Sequence, residues 1–501
     1  MRHHILKLYT NQRLNLAGER TQIKTQSKLI QIHIFVCLVA FSSLTYSCKK
    51  IIQIDPQKNA ITTSEAFSDS TNATASVLGT YSLMSNTQGS LGFGDGIITA
   101  FSGCSSDELI PFGYTPDFYT NTLNASTAST NSFWQQGYNL IYQTNVCIEN
   151  IQSSPGLTNT TKNQLIGESK FLRAYFYFYL VNLYGNVPLI LTSNRIANQS
   201  AKNNTVSEIN QQIIQDLLDA QSLLRSDYSI SGGQRLRANK AAAAALLARE
   251  YLYTGDWKDA QIQASSVINN SAYSLVTDLN AVFLSNSSET ILQLYQNPNF
   301  YPFNATNEGY TFVGYANSPP NYYLNQPLLK AFENGDQRFV DWVDTTTFSG
   351  TLYYFPYKYK VGTPQSEPNI TPTETYMLLR LAELYLIRAE SEAHGAGNGI
   401  NSAITDLNVV RNRAGLPNYS GAVNSTEVLN AIYHEWQIEF CFEWGHRWLD
   451  LRRTGQINAI MTTVVPLKAG AGATWKPYQA LYPIPNTEIQ EDHNLKQNPG
   501  Y

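Results

Sequence analysis

Residues 164–190, QLIGESKFLRAYFYFYLVNLYGNVPLI, constrain the fold more than any other stretch. Leu172, Phe176, Tyr179 and Leu183 recur at helical spacing, and Phe171, Tyr175 and Phe178 form the next stripe round. A helix that is apolar nearly all round cannot lie on a surface and must be enclosed. Gly185 and Pro188 end it. The aromatic run FYFYL therefore reads as helix-packing core rather than as a ligand platform.

Other helical patterns come in pairs. Residues 133–151 place Trp134, Tyr138, Ile141, Asn145 and Ile148 on one face. Residues 238–270 carry small residues on a first helix, Gly-Asp-Trp at a turn, then Ala260, Ala264 and Val267 on a second. That plan resembles a tetratricopeptide repeat, whose unit is about 34 residues. Residues 375–416 repeat it with a longer glycine-rich turn at 395–399. Two segments break the pattern, 85–132 and 271–372, which are rich in Gly, Asn, Ser, Thr, Pro and Tyr. Their short apolar runs, ETILQLYQ and LYYFPYKYK, suit strands. Long irregular segments on a rigid scaffold are usually functional or disordered, and the aromatic density here argues against disorder.

Composition narrows the function. Charged residues make up 14%, against roughly 25% in typical soluble domains. The 32 Tyr far outnumber the 7 Trp. Tyrosine gives rigid contact area with a hydroxyl that still meets water, which suits polar ligands or partners. A net charge of −4 leaves no basic footprint for nucleic acid. Near the start, Lys24 and Lys28 precede an uncharged, largely apolar run from Leu29 to Ser47 that ends in small residues before Cys48. This is the pattern of a secretory signal; Gln31, His33 and the Ser/Thr-rich end make it a poor membrane span. Cys104, Cys147 and Cys441 have no metal-ligand spacing and allow at most one disulfide. They read as buried thiols, since Cys147 and Cys441 lie in apolar helical patterns.

Residues 439–456, EFCFEWGHRWLDLRRTGQ, concentrate Glu439, Cys441, Glu443, His446, Asp450 and three arginines. These are residue types that acid/base and nucleophilic catalysis recruits. On one helix, however, Glu435, Glu439 and Glu443 recur four apart and Arg447 continues the row, a spacing that favours Glu-to-Arg pairing. Phe440, Trp444 and Trp448 make a neighbouring apolar row. Half-buried charges must be paired, so the stretch reads as a structural ion-pair network.

Six stretches together resemble the SusD/RagB family of Bacteroidota outer-membrane lipoproteins: SCKKIIQIDP, GESKFLRAYFYFYLVNLYGNVPLI, LRLAELYLIRAE, LNVVRNRAGL, FEWGHRWLDLRRTG and LYPIPNTEIQEDHNLKQNPGY. They run from end to end of the chain in the family's order. The resemblance implies a mainly α fold of tetratricopeptide-like helical hairpins, with a loop-rich lobe carrying a few short strands. It divides the chain into a lipoprotein signal peptide, 1–47, and one SusD-like domain, 48–501. The helical scaffold would occupy about 60–84, 133–270 and 373–460, with the ligand-facing loops at about 85–132 and 271–372. Ser47-Cys48 resembles a lipobox, implying lipidation of Cys48 and an outer-membrane anchor, although Thr45 stands where a leucine is usual. The implied role is non-enzymatic: capture of oligosaccharide, or in some members peptide, above a SusC-like TonB-dependent transporter, with no cofactor, no metal and no nucleic-acid partner.

A sugar offers apolar CH faces and many hydroxyls, so its site needs aromatic planes and hydrogen-bonding side chains. The first loop segment supplies Asp107, Tyr114, Phe118 and Tyr119, and the second supplies Tyr295, Asn297, Tyr301, Tyr322 and Tyr323. Two rivals are a secreted glycoside hydrolase, which needs two carboxylates about 5–10 Å apart across a sugar bond, and a repeat scaffold that binds another protein. No carboxylate pair stands out in the sequence.

Overall fold

The helix expected around residues 164–190 forms as Asn159–Tyr184, and Phe171, Leu172, Tyr175, Phe176, Phe178, Tyr179 and Leu183 are all buried in it. The computed structural model describes residues 62–85, 93–94, 96–363 and 371–501. The predicted signal segment and Cys48 lie outside them. In chain order the main elements are α1 (Ser70–Ser85), α2 (Ile97–Ser105), β1 (Leu109–Pro111), α3 (Ala128–Ser153), α4 (Asn159–Tyr184), α5 (Val206–Leu223), α6 (Lys240–Thr254) and α7 (Trp257–Ile268). There follow β2 (Thr290–Gln293), α8 (Asn307–Phe312), β3 (Tyr322–Leu324), β4 (Val343–Phe348), β5 (Thr351–Pro356) and β6 (Met377–Arg380). The chain closes with α9 (Leu381–Ala393), α10 (Ile400–Arg413), α11 (Ser425–Glu439), α12 (His446–Arg453), α13 (Ile457–Ala469) and α14 (Asn486–Glu491).

The scaffold is a succession of packed helices. α4 lies against α3 and α5, α6 against α5 and α7, α9 against α7 and α10, and α11 against α9 and α10. Small residues let these helices approach closely: Ala242 to Ala245 on α6, with Ala260 and Ala264 on α7, are buried. The one polar residue on the predicted α3 stripe has a partner. Asn145 accepts from Arg173 at 2.8 Å, and Arg173 also pairs with Asp216 of α5 at 2.7 Å. A buried amide and a buried ion pair thus satisfy each other at the helix junction. Cys104, Cys147 and Cys441 are buried free thiols.

Both apolar runs read as strands do form strands, in β2 and β5, each within a short antiparallel pair. Three boundaries differ from the sequence reading. Residues 377–380 are not the start of a helix but strand β6, paired with β2, and α9 begins at Leu381. Met377, Leu378, Leu379 and Arg380 are all buried, and a short apolar run closed in on both faces has no period to tell strand from helix. Within the first loop segment, α2 is a helix buried from Ile98 to Ser105, missed because its Ser, Gly and Thr residues read as loop composition. The third difference lies at residues 440–445, where α11 and α12 are separate helices.

Candidate functional site

The two loop-rich segments meet. β1, from the first, pairs with β3, from the second, in the register Leu109 to Leu324, Ile110 to Tyr323 and Pro111 to Tyr322. The Phe112 amide extends the ladder to the Asn321 carbonyl at 2.9 Å. The Tyr114 and Tyr322 hydroxyls consequently share a hydrogen bond at 2.5 Å. Tyr322 packs on Phe312 of α8 at 5.5 Å, and separately Tyr310, two residues earlier on the same helix, meets Tyr301 edge-on at 5.0 Å.

Tyr301 stands at the crest of a turn built from its own sequence. The Gln296 side chain is buried and donates to the Phe303 carbonyl at 3.0 Å, tying the ends of the turn together. Phe303 adopts a φ of 59°, and the Ala305 amide bonds back to the Pro302 carbonyl at 3.2 Å. Tyr301 is left 57% exposed, with Tyr295 at 55% and Tyr114 at 48%. Tyr310 and Tyr315 are exposed beside Tyr301. Partial burial, followed by the Tyr310 and Tyr315 hydroxyls, pushes the Tyr301 phenol up to about 12, so it stays a neutral donor and acceptor. Burial raises Tyr114 and Tyr119 in the same direction.

The residues singled out in sequence fall into two groups. Tyr114, Tyr295 and Tyr301 present exposed rings; Asn297, Tyr119 and Tyr323 are half-buried, Tyr323 against Tyr353 at 5.1 Å. Asp107, Phe118 and Tyr322 are buried. Asp107 is engaged at both carboxylate oxygens by Arg447, at 2.7 and 2.8 Å. Burial alone would raise the Asp107 carboxyl, but the Arg447 guanidinium outweighs it and holds it low. Phe118 stacks on Phe101 at 4.4 Å inside the core. These two side chains support the face from behind, and Tyr322 reaches it through the Tyr114 hydroxyl. Sequence reasoning passed over Tyr310 and Tyr315. Both lie in NEGYTFVGYANSPP, midway between the stretches it chose, and the exposure of one helical Tyr depends on how α8 is seated.

Beneath this face Lys468 of α13 holds the neck of the loop that carries Tyr114. Its side-chain nitrogen donates to the Ser105 and Ser106 carbonyls at 3.1 and 2.8 Å and to Asn121 Oδ1 at 3.1 Å, so both legs of the loop share one donor, which burial lowers to about 7.

The carboxylates of 439–456 are closed inside the scaffold. Glu443 accepts from Lys358 at 2.6 Å and from Arg380 at 2.8 and 2.9 Å. Glu439 lies among Arg380 at 2.5 Å, Arg338 at 3.1 Å and Arg413. Burial would raise the Glu439 carboxyl, but Arg413, Arg380 and Arg338 hold it well below the usual range. Glu435 pairs with Arg338 at 2.5 Å. Arg380 spans Glu289, Glu439 and Glu443, and its guanidinium sits 3.9 Å from the centroid of Phe440. The ion-pair reading holds, but with different partners. Glu443 and Arg447 do not pair, because left-handed backbone at Phe442 (57°), Trp444 (48°) and Gly445 (71°) breaks the helix between them. Burial raises the Cys441 thiol to about 12 and, with Arg249 next, lowers His446, leaving both uncharged. Among the described residues, no group of three His, Cys, Asp or Glu side chains is placed to hold a metal ion.

Two family models match the chain. One, described as the SusD family, covers residues 295–501; the other, described as starch-binding associating with outer membrane, covers residues 108–252. Together these matches support a SusD-like family protein. SusD-like protein P25 of Formosa agariphila is 24% identical, with 95% of this chain and 100% of that one aligned. The starch-binding protein SusD of Bacteroides thetaiotaomicron is 26% identical over 70% of this chain and 75% of its own. A SusD superfamily protein from Bacteroides vulgatus superposes with a TM-score of 0.74 at 21% identity, over 87% of this chain and 100% of its own. A laminarin-binding SusD-like protein superposes with a TM-score of 0.71 at 23% identity, over 87% of this chain and 100% of its own. These structural likenesses establish the SusD-like fold. Among the described residues of the SusD-like unit, no helix is long and apolar enough to cross a membrane.

Proposed function

We propose that this protein is a non-enzymatic, cell-surface binding lipoprotein that captures oligosaccharide on the tyrosine face and delivers it to a SusC-like TonB-dependent transporter. The observation that carries the reading is that β1 and β3 join the two loop segments, setting the exposed Tyr114 against Tyr322, while Tyr301 and Tyr310 of the second segment meet edge-on with both rings exposed. Exposed neutral phenols offer flat stacking planes with hydroxyls at their rims, the combination a sugar ring needs. The SusD of Bacteroides thetaiotaomicron and the laminarin-binding relative, whose names state starch and laminarin, support the ligand class. In this reading residues 48–501 act as one domain, the signal 1–47 is removed, and acylated Cys48 anchors the chain in the outer membrane.

The hydrolase rival fares worse. The carboxyls raised toward neutrality near this lobe, Glu108 at about 8 and Glu308 at about 7, owe their shift first to burial. Glu308 accepts from Thr99 and Tyr376, both at 2.6 Å, and neither carboxyl lies open on the tyrosine face. Calorimetric titration of purified protein with laminari-, malto- and xylo-oligosaccharides tests the reading, with reducing-sugar release measured in parallel. Binding without release supports it; release sinks it; binding of peptides alone would replace the glycan with a peptide ligand. For the anchor, Cys48→Ala should move the protein out of the membrane fraction and abolish acyl labelling.

A further inference from the structure

A groove of about 620 Å³ opens where α3 passes between the 188–201 segment and the C-terminal helix α14. Trp134, Tyr138 and Tyr142 line one wall at four-residue spacing along α3, and Pro188, Ile190 and Leu495 add apolar surface. The Tyr138 hydroxyl donates to the Pro188 carbonyl at 2.8 Å, which fixes the ring against the groove. None of these residues belongs to the tyrosine loops.

The opposite rim carries Glu488, Glu491 and Asp492. Among the described residues no lysine, arginine or histidine pairs with any of them, although Arg195, Lys202 and Lys496 are exposed on flanking segments. That differs from the core, where the carboxylates of 435–443 are met by guanidinium or ammonium groups. The donors beside Glu488 are neutral, the Gln135 amide at 3.4 Å and the Trp134 side chain. Partial burial first, and then the neighbouring charge of Glu491, push its carboxyl upward, so the two acids repel. A neutral ligand would leave that repulsion in place, whereas a cation would relieve it. The aromatic wall favours the same ligand: the Arg195 guanidinium already sits 5.3 Å from the Tyr142 ring centroid, a cation–π distance. An arginine side chain has the matching shape, with an aliphatic stem for the apolar wall and a planar charged head for the carboxylates.

We infer that this groove is a docking site for an arginine-bearing segment of a partner protein, separate from the tyrosine face and independent of glycan capture. Charge complementarity selects the occupant, since an acidic or neutral segment gains nothing from three carboxylates without a cationic partner facing aromatic rings.

The test uses the full chain in detergent and a fluorescent acetyl-(Gly-Arg)₃-amide, with the same peptide carrying citrulline in place of arginine as an isosteric uncharged control. The arginine peptide should bind, with at least a tenfold loss for citrulline and a comparable loss in the Glu491→Gln/Asp492→Asn variant. Glu491 is exposed and Asp492 half-buried, and the amide that replaces the Asp492 carboxylate keeps an oxygen to accept from the Asn494 backbone and side-chain N–H groups, so the variant should melt as the parent does. Tyr142→Ala should weaken binding further, and Tyr301→Ala should leave it unchanged. The inference is overturned if the arginine peptide fails to bind at millimolar concentration, if citrulline binds equally well, if the double variant binds like the parent, or if Tyr301→Ala removes the binding.

Discussion

The break between α11 and α12 makes a quantitative claim about which charges are coupled. Glu443 contacts Lys358 and Arg380, and all three side chains are nearly inaccessible to water, at 8%, 2% and 2% exposure. Removing one member of a buried pair leaves the other charge uncompensated, at a cost of about 3–5 kcal/mol. Glu443→Gln should therefore lower stability by that order, because an amide oxygen still accepts one bond but carries no charge against Arg380. Arg447 belongs to a different pair, with Asp107 at 2.7 Å. A double-mutant cycle separates the two arrangements. Glu443→Gln with Arg380→Met should show a coupling of about 2–3 kcal/mol, since each partner is already orphaned by loss of the other. Glu443→Gln with Arg447→Met should be additive to within about 0.5 kcal/mol, as expected for residues that share no partner. The four chains of each cycle would be compared by equilibrium urea unfolding followed by tryptophan fluorescence. A coupling between Glu443 and Arg447 as large as that between Glu443 and Arg380 would mean that the helix runs through and that the network is wrongly assigned. A Glu443→Gln protein of unchanged stability that had lost a hydrolytic activity would restore the catalytic reading.

Three further outcomes follow from the same geometry. Tyr301→Ala should weaken oligosaccharide binding by about 1–2 kcal/mol, roughly a tenfold or somewhat larger loss, without changing the circular dichroism spectrum; Phe176→Ala should instead cost roughly 3–5 kcal/mol of stability because it empties part of the α4 core. Gly445→Ala should destabilise, since a Cβ there would lie 2.7 Å from the Ser102 side chain at a φ of 71°, and left-handed backbone alone costs a non-glycine residue about 1–2 kcal/mol; an unaltered melting temperature would contradict that. Glu250 is fully buried with neither carboxylate oxygen hydrogen-bonded, and burial raises it to about 8. Its folded form thus holds a proton that the unfolded chain releases near 4.5, so the native state is favoured at low pH and loses stability as pH rises toward 8, by up to about 5 kcal/mol. Glu250→Gln should be more stable than the parent at pH 8 and converge with it below about pH 4, and a difference independent of pH would refute the assignment.

What the sequence determined by itself is what periodicity and composition encode locally. The enclosure of α4 follows from apolar residues on every side of one helix, and the pairing of α6 with α7 follows from alanines at close-approach positions around a Gly-Asp turn. The excess of tyrosine in the second irregular segment, with Tyr114 and Tyr119 in the first, pointed to an exposed aromatic surface, because such residues in a loop have no helical core to fill. The charge-dense stretch could be read as paired rather than reactive, since so many ionisable groups in an apolar context must neutralise one another. Only the tertiary structure decided the partners. Arg338, Lys358 and Arg380 lie about 60 to 100 residues from the glutamates they meet, and helical spacing is silent about contacts across such separations. Exposure was likewise a tertiary matter: Tyr114 and Tyr322 share loop-like contexts and touch each other, yet one faces water and the other is buried, because β1 and β3 pair with Tyr322 turned inward against Phe312. Alternation along a three-residue strand sets which side chain turns in, but which side is the interior is settled by everything packed against it.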